Sequence, residues 1–284
     1  MLEIILSIVV SFLFQTSQPN LPTELPEVEF TSSERPYLSS KSYLLYDQNS
    51  QSVLISSEPN TKLPIASLTK LLTAHIILQE NDLQEIVTVP LEATQIGGST
   101  MRLKAGERIT IENLLKGLLI NSANDAAITL GIHNSESTEK FVEKMNTYAN
   151  QLNMYNSHFS NPMGYDSPEN YSTASDLLKL TLQSIQNPTI KEFSSIKSTT
   201  VTSQNGSLKH ILKNTNKELE NFQQINGLKT GTTNIAGQCL ITTTNNETPQ
   251  ISIILGSSNR FQDTKTMLDW AKNNIIYTND PSNI

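Results

Sequence analysis

The chain has one cysteine in 284 residues, Cys239, so an internal disulfide is excluded. Basic charge is also scarce. Twenty Lys and Arg stand against 27 Asp and Glu, a net charge of −7. No basic run reverses that balance, which argues against nucleic acid as a partner. Only four histidines occur, His75, His133, His158 and His210, and none has metal-ligand spacing, so neither a metal nor another cofactor is expected. His75 falls among apolar positions of a helix and reads as structural, and Cys239, in a strand-like stretch, reads as a packed thiol. Internal repeats are absent. No apolar run reaches the ~20 residues of a membrane span.

The longest apolar run, Ile4 to Phe14, has eleven residues and suits the core of a signal peptide. Glu3 rather than a lysine or arginine precedes it, and no small-x-small cleavage site follows. Export is the expectation for residues 1–17, with an uncleaved N-terminal anchor as the alternative; any membrane contact would then be through this segment. No cysteine follows it, which argues against a lipoprotein. From Thr16 to Pro36 the composition turns to proline, serine, threonine and glutamate, with Pro19, Pro22, Pro26 and Pro36. This reads as a tether over 18–38, without a core of its own. Extended as polyproline, about 20 residues at ~3.1 Å each reach some ~60 Å.

The remainder, 39–277, is long enough for a large core. Ser42–Asp47 and Ser52–Ser56 read as strands around Asp47-Gln48-Asn49-Ser50. A helix begins near Ser67. Thr110 can cap a second, with Leu114, Leu115, Leu118 and Leu119 on its apolar side. Another starts within Ser122–Ala126, and Thr138–Asn153 is helical by pattern. Thr173 with Asp176 resembles a capping box before Leu177, Leu178 and Leu180. After about Val201 strand periodicity returns, with Gly227–Thr233, Gln238–Thr244 and Gln250–Gly256. A last amphipathic helix carries Met267, Leu268, Ala271 and Ile275. Strands at both ends and helices between predict an α+β fold. One mostly antiparallel sheet comes from the two chain ends, backed by the last helix, with a helical subdomain inserted over about 60–200. A site is expected at the seam between them.

Pro64-Ile65-Ala66-Ser67-Leu68-Thr69-Lys70 opens the first helix. Ser67 and Lys70, three apart, share a helical face. A serine at a helix N-terminus sits where an anion is stabilised. A lysine held there among leucines and isoleucines is driven toward its neutral form, in which it is a base. Together they are the minimum for acyl transfer. S-x-x-K also occurs at Ser137 and Ser194, where it reads as a helix cap and a loop, so the tetrapeptide alone is weak.

Two further motifs strengthen it. Lys229-Thr230-Gly231 occurs once, on a predicted strand. An edge strand beside a cleft can pair with an extended substrate, and Gly231 removes a side chain where that backbone approaches. Lys229 supplies a cation for a carboxylate and Thr230 a hydroxyl. Ser122-Ala123-Asn124 lies at a helix-to-helix corner, where the serine can pass a proton and the asparagine amide can both donate and accept. S-x-N recurs at Ser203 and Ser257, and helix capping is the plain alternative at Ser122.

S-x-x-K, S-x-N and K-T-G in this order are a signature of penicillin-binding proteins and class A β-lactamases. The chain resembles the serine D-alanyl-D-alanine carboxypeptidases, low-molecular-mass penicillin-binding proteins, in longer blocks as well. These are Pro64–Ala74, Gly98–Glu107 with Ser122–Ala126, His158–Gly164 with Tyr171–Ala174, and Asn226–Thr233 with Ala236-Gly237. The resemblance runs from about Ser40 to Ile275. It implies a β-lactamase/transpeptidase-like fold and an exported enzyme acting on peptidoglycan stem peptides ending in D-Ala-D-Ala, inhibited by β-lactams. Three departures stand out: Ala123 where the family has glycine, Asn226 where it has aspartate, and Asn170 where it has histidine.

The resemblance further implies roles. Ser67 attacks the penultimate D-alanine carbonyl, Lys70 takes its proton, and the Ser67 and Thr232 N–H groups form the oxyanion hole. Ser122, between Lys70 and Lys229, passes the proton to the leaving amine. Asn124 holds the substrate amide, and Lys229, Thr230 and Arg260 hold the terminal carboxylate. A serine β-lactamase would share fold and acylation, but the E-x-x-L-N run with which class A enzymes deacylate is missing, and Glu169 is only its nearest candidate. A silent wall-binding module would lack a reactive residue, and none is lacking. Carboxypeptidase and DD-endopeptidase action on cross-links stay open.

Overall fold

A computed structural model describes residues 25–221 and 224–278. The segment expected to direct export, 1–17, lies outside them. In chain order the strands are β1 (Glu27–Phe30), β2 (Ser42–Asp47), β3 (Ser52–Ser57), β4 (Ile86–Thr88), β5 (Arg108–Thr110), β6 (Ser198–Thr202), β7 (Lys209–Lys213), β8 (Ile225–Thr233), β9 (Gly237–Thr244), β10 (Gln250–Ser257) and β11 (Ile275–Thr278). The helices are α1 (Lys70–Glu80), α2 (Ile111–Ile120), α3 (Asn124–Ser135), α4 (Thr138–Gln151), α5 (Ala174–Ser184), α6 (Pro188–Ser195), α7 (Glu218–Asn221) and α8 (Arg260–Asn274).

A five-stranded antiparallel sheet has the order β3-β2-β10-β9-β8, so both chain ends contribute, as the strand pattern predicts. Alternation along each strand sends side chains to opposite faces. On β2, Tyr43 and Leu45 pack with Leu240, Ile254 and Met267 beneath α8, whereas Leu44 joins Ile251 and Ile253 under the helices. That second face carries the larger core, which runs through Leu68, Leu71, Leu72, Leu115, Leu118 and Phe141. α1 to α7 lie between β3 and β8 in the chain and form the inserted subdomain.

Local signals set the helix starts. Thr110 Oγ1 accepts from Asn113 N at 3.2 Å and Thr173 Oγ1 from Asp176 N at 3.1 Å. Ser137 caps α4, accepting from Lys140 N at 3.2 Å, so its S-x-x-K is the helix cap expected of it. Ser194 departs from expectation. It lies in the last turn of α6 rather than in a loop, behind an Asn187 cap and Pro188 at the first turn.

The tether reading also needs correction. Glu27–Phe30 pairs antiparallel with Ile275–Thr278, and Trp270 Nε1 donates to Glu34 O at 2.7 Å. β-branched Val28 and aromatic Phe30 give this short stretch enough to pack, despite its flanking prolines. The part of the expected tether ahead of Leu25 lies outside the described residues. No helix among the described residues is long and apolar enough to cross a membrane.

Candidate active site

Ser67 stands in a 3₁₀ turn, Ala66–Thr69, that runs directly into α1. The turn is tight: Ala66 has φ +49°, and Gly164 packs against it. Gly164 has φ +86°, and a Cβ there would come within 2.0 Å of Ala66 O. Only glycine fits. Its neighbour Met163 presents a carbonyl oxygen to the Lys70 amine.

Lys70 is fully buried. Its Nζ lies 2.8 Å from Ser67 Oγ and donates to Met163 O at 2.5 Å. Burial pushes its pKa well below the ordinary lysine range, the cation of Lys229 adds to this, and Asp125 opposes it. A neutral amine that donates to Met163 O keeps its lone pair for the serine proton.

Lys229 is buried as well, on β8. Its Nζ donates to Ser122 Oγ at 2.8 Å and to Thr230 O at 2.9 Å. Burial, with the neighbouring Arg260 charge, lowers its pKa to about 7. Ser122 sits at the corner between α2 and α3 with φ +56°, a left-handed conformation that bends the chain sharply enough to turn its hydroxyl inward. The corner departs from expectation in one respect. Among the described residues Ser122 Oγ is bonded by Lys229 Nζ, whereas the contacts of Lys70 Nζ go to Ser67 and Met163.

Asn124, the first residue of α3, donates from Nδ2 to Gly97 O at 2.8 Å, which fixes its amide and leaves Oδ1 for an incoming N–H. β8 is an edge strand, with β9 on one side and the turn of Ser67 against it. A Cβ on Gly231 would stand 2.9 Å from Ser67 N, so the strand reaches the nucleophile only as glycine. Arg260, at the start of α8, donates to Gly231 O at 2.7 Å and Thr232 Oγ1 at 2.6 Å, while its Nε is buried without a partner among the described residues.

Ser67, Ser122, Asn124, Thr230, Gly231, Thr232 and Arg260 line one cleft of about 220 Å³, with Lys70 and Lys229 beneath it. Among the lining residues, Thr215 and Tyr165 fall outside every motif and block of the sequence reading. Thr215 bonds Thr230 through their hydroxyls at 2.6 Å. Tyr165 donates to Gly97 O, and Ser99 to Asn121 O at 2.6 Å. Gly164 and Ser99 fall within recognisable blocks, but nothing around Thr215 marks it. Asn226 and Asn170 lie off the cleft. Asn226 accepts from Thr243 Oγ1 at 2.5 Å, and buried Asn170 donates to Thr69 Oγ1 at 3.4 Å.

Residues 29–259 match the family model for D-alanyl-D-alanine carboxypeptidase, well over half of the chain. The chain belongs to the D-alanyl-D-alanine carboxypeptidase family. Within this family it is 31% identical over 240 residues to the D-alanyl-D-alanine carboxypeptidase DacF of Bacillus subtilis, covering 81% of this chain and 61% of that protein. It is 34% identical over 240 residues to a D-alanyl-D-alanine endopeptidase of Pseudomonas aeruginosa, covering 82% of this chain and 77% of that one. The chain thus spans less than two thirds of the Bacillus relative's length. Among solved structures, the Streptomyces K15 DD-transpeptidase superposes with a TM-score of 0.79 at 25% identity, over 84% of this chain and 99% of that one. The fold is the α+β penicillin-binding type that the sequence resembles.

Proposed function

We propose that the protein is a serine DD-peptidase that removes the terminal D-alanine from peptidoglycan stem peptides through an acyl-enzyme on Ser67. The observation that carries this reading is the 2.8 Å approach of a fully buried lysine amine to Ser67 Oγ. Lys70, neutral at work, takes the hydroxyl proton as Oγ bonds to the penultimate D-alanine carbonyl. Two backbone N–H groups, of Ser67 and Thr232, receive the oxyanion; such donors are worth roughly 3–4 kcal/mol each. The substrate backbone lies along β8 as an added strand, its amide N–H meeting Asn124 Oδ1.

Collapse of the tetrahedral species breaks the peptide bond; Ser122 gives its proton to the departing amine and takes back the one Lys70 holds, which returns Lys70 to its neutral form. Lys229 steadies Ser122, while Lys229, Thr230 and Arg260 receive the terminal carboxylate in charge-assisted contacts. Water then enters in place of D-alanine, Lys70 takes its proton, and the ester is hydrolysed. No residue lining the cleft is Asp or Glu, and exposed Glu169 lies outside it, so a penicillin ester lacks the carboxylate base of class A β-lactamases. A β-lactam therefore inhibits by lasting acylation. An extracytoplasmic place follows from this substrate, with residues 1–17 directing export or anchoring the chain.

Release of D-alanine from a muramyl pentapeptide tests the reading. Wild-type protein releases it and Ser67→Ala, folded, does so at least about 10³-fold more slowly; equal release by both would refute it.

A further inference from the structure

β6 and β7 form a two-stranded hairpin outside the main sheet, and their register decides which backbone groups are used. Ser203 N donates to Leu208 O at 3.1 Å at one end, and Asn214 N to Lys197 O at 2.8 Å at the other. In an antiparallel pair, bonded and non-bonded residue pairs alternate. Continued inward from both ends, that alternation bonds His210 and Leu212 to β6. It turns the N–H and C=O groups of Lys209, Ile211 and Lys213 to the outer edge. The outer edge of β6 is covered, since Thr202 O accepts from Asn113 Nδ2 at 3.0 Å. The outer edge of β7 has no such partner among the described residues.

β7 lines a groove of about 570 Å³ that shares no residue with the catalytic cleft and also carries Arg102 and Lys104. With Lys209 and Lys213 these make four cations, and no Asp or Glu is among the lining residues. None of the four is in an ion pair among the described residues. In a chain of net charge −7 this is a local reversal. Ile211 stands between the two lysines on their face of β7 and is 72% exposed; no Ile, Leu or Val among the described residues is more so. His210 and Leu212, on the opposite face, are buried.

Lysine on a free strand edge is a common guard against pairing with other chains. Here the guard is selective. A second copy laid antiparallel on β7 about Ile211 would set Lys209 against Lys213, and like charges directly opposite destabilise a pair. An acidic strand meets the reverse. Exposed Ile211 adds nothing to a guard, but it offers a cross-strand partner to an apolar residue.

We propose that the β7 edge docks an extended acidic segment of another protein, which adds to the hairpin as a third strand. The segment has the pattern acidic-x-apolar-x-acidic. Its acidic residues stand opposite Lys209 and Lys213 and its apolar residue opposite Ile211, with Arg102 and Lys104 supplying further positive charge in the groove. Backbone bonds to the outward groups of β7 supply affinity, and charge selects the partner.

The test titrates the full chain with three synthetic peptides. The first alternates glutamate, valine and glutamate with threonine, and the second has lysine for glutamate. The third is the first with its glutamate and valine nitrogens methylated, which keeps the side chains and removes the N–H donors facing β7. The first is expected to bind at least about tenfold more tightly than either of the others. Added salt weakens it, and its binding slows amide hydrogen exchange at Lys209, Ile211 and Lys213 more than at His210 and Leu212. Lys209→Glu/Lys213→Glu should exchange the preference, taking the second peptide over the first, while an unchanged rate of acylation by fluorescent penicillin reports an intact fold. Equal binding of the first and third peptides would mean attraction by charge alone, as to any anionic polymer or surface, and overturns the proposal. No binding of the first peptide by wild type, or an unaltered preference in the variant, overturns it too.

Discussion

Lys229 Nζ donates to Ser122 Oγ at 2.8 Å across 107 positions of chain, joining the edge of the sheet to the corner of the helical subdomain. That bond closes the seam at which the cleft opens. It also brings two buried lysines close enough for the charge of one to lower the pKa of the other. One can then work as a base while the other stays cationic, with environment setting the division.

The pH profile should show it. Burial lowers Lys70 well below the ordinary lysine range, whereas Lys229 is lowered to about 7. kcat/KM for a pentapeptide is expected to rise as Lys70 loses its proton and to fall as free Lys229 loses its own near neutrality. A bound carboxylate favours the Lys229 cation, so kcat extends to higher pH than kcat/KM. Stability has the opposite sense. Between about pH 7 and the usual lysine range the unfolded chain binds more protons than the native one, so these lysines make stability rise with pH in that window. A kcat/KM that stays flat to pH 9 would contradict this.

Asp125 is the charge that opposes the lowering of Lys70. Its carboxylate also accepts from Met101 N and Leu103 N, each at 3.0 Å, and so ties the segment beside the cleft to α3. Asp125→Asn should move the acid limb of penicillin acylation to lower pH, because Lys70 then loses the carboxylate charge that raises its pKa. It should also cost roughly 1–3 kcal/mol in denaturant unfolding. An unmoved limb would show that Asp125 acts on the segment alone.

Gly164→Ala should disable the nucleophile without touching its chemistry. The new Cβ meets Ala66 O at 2.0 Å, and backbone rather than a flexible side chain must give way. Overpacking of this kind costs roughly 1–3 kcal/mol, to which the left-handed backbone adds. Calorimetry together with penicillin labelling checks it; wild-type labelling in a stable variant would contradict the geometry.

Much of the fold was legible because its signals are local. The caps at Thr110, Ser137 and Thr173, and the alternation of β2, β9 and β10, each lie within a few residues of what they determine. α6 was missed: Asn187 and Pro188 are the local signals of a helix start, but Ser194 was read as loop. β1 was hidden by its prolines, because its partner β11 lies some 250 positions away in the chain, as the 251-residue span of the Thr278–Glu27 contact illustrates. The site divides in the same way. Ser67 and Lys70 share a turn, and Lys229 to Gly231 share a strand, so motif reasoning finds both. Thr215 and the Met163 carbonyl enter only through long-range packing, and backbone atoms leave no mark on residue identity. The departures at Asn226 and Asn170 flank the motifs in sequence yet face away from the cleft.

The Glu107–His210 contact is one such long-range feature. Both residues are buried, His210 Nε2 lies 2.7 Å from Glu107 Oε1, and Nδ1 lies 2.8 Å from Met101 O. Glu107→Ala leaves the ring without one partner and Lys104 N without its carboxylate. A loss of about 3 kcal/mol is expected in urea unfolding, with Glu107→Gln costing less. Unchanged midpoints in both would remove the bridge from the account.

The central claim is tested most directly by intact-protein and peptide mass spectrometry after incubation with benzylpenicillin. The account predicts one drug mass added per chain, located on Ser67, persisting after excess drug is removed, and absent from Ser67→Ala and Lys70→Met. A stable adduct on another residue, or none in the folded wild-type protein, would contradict it.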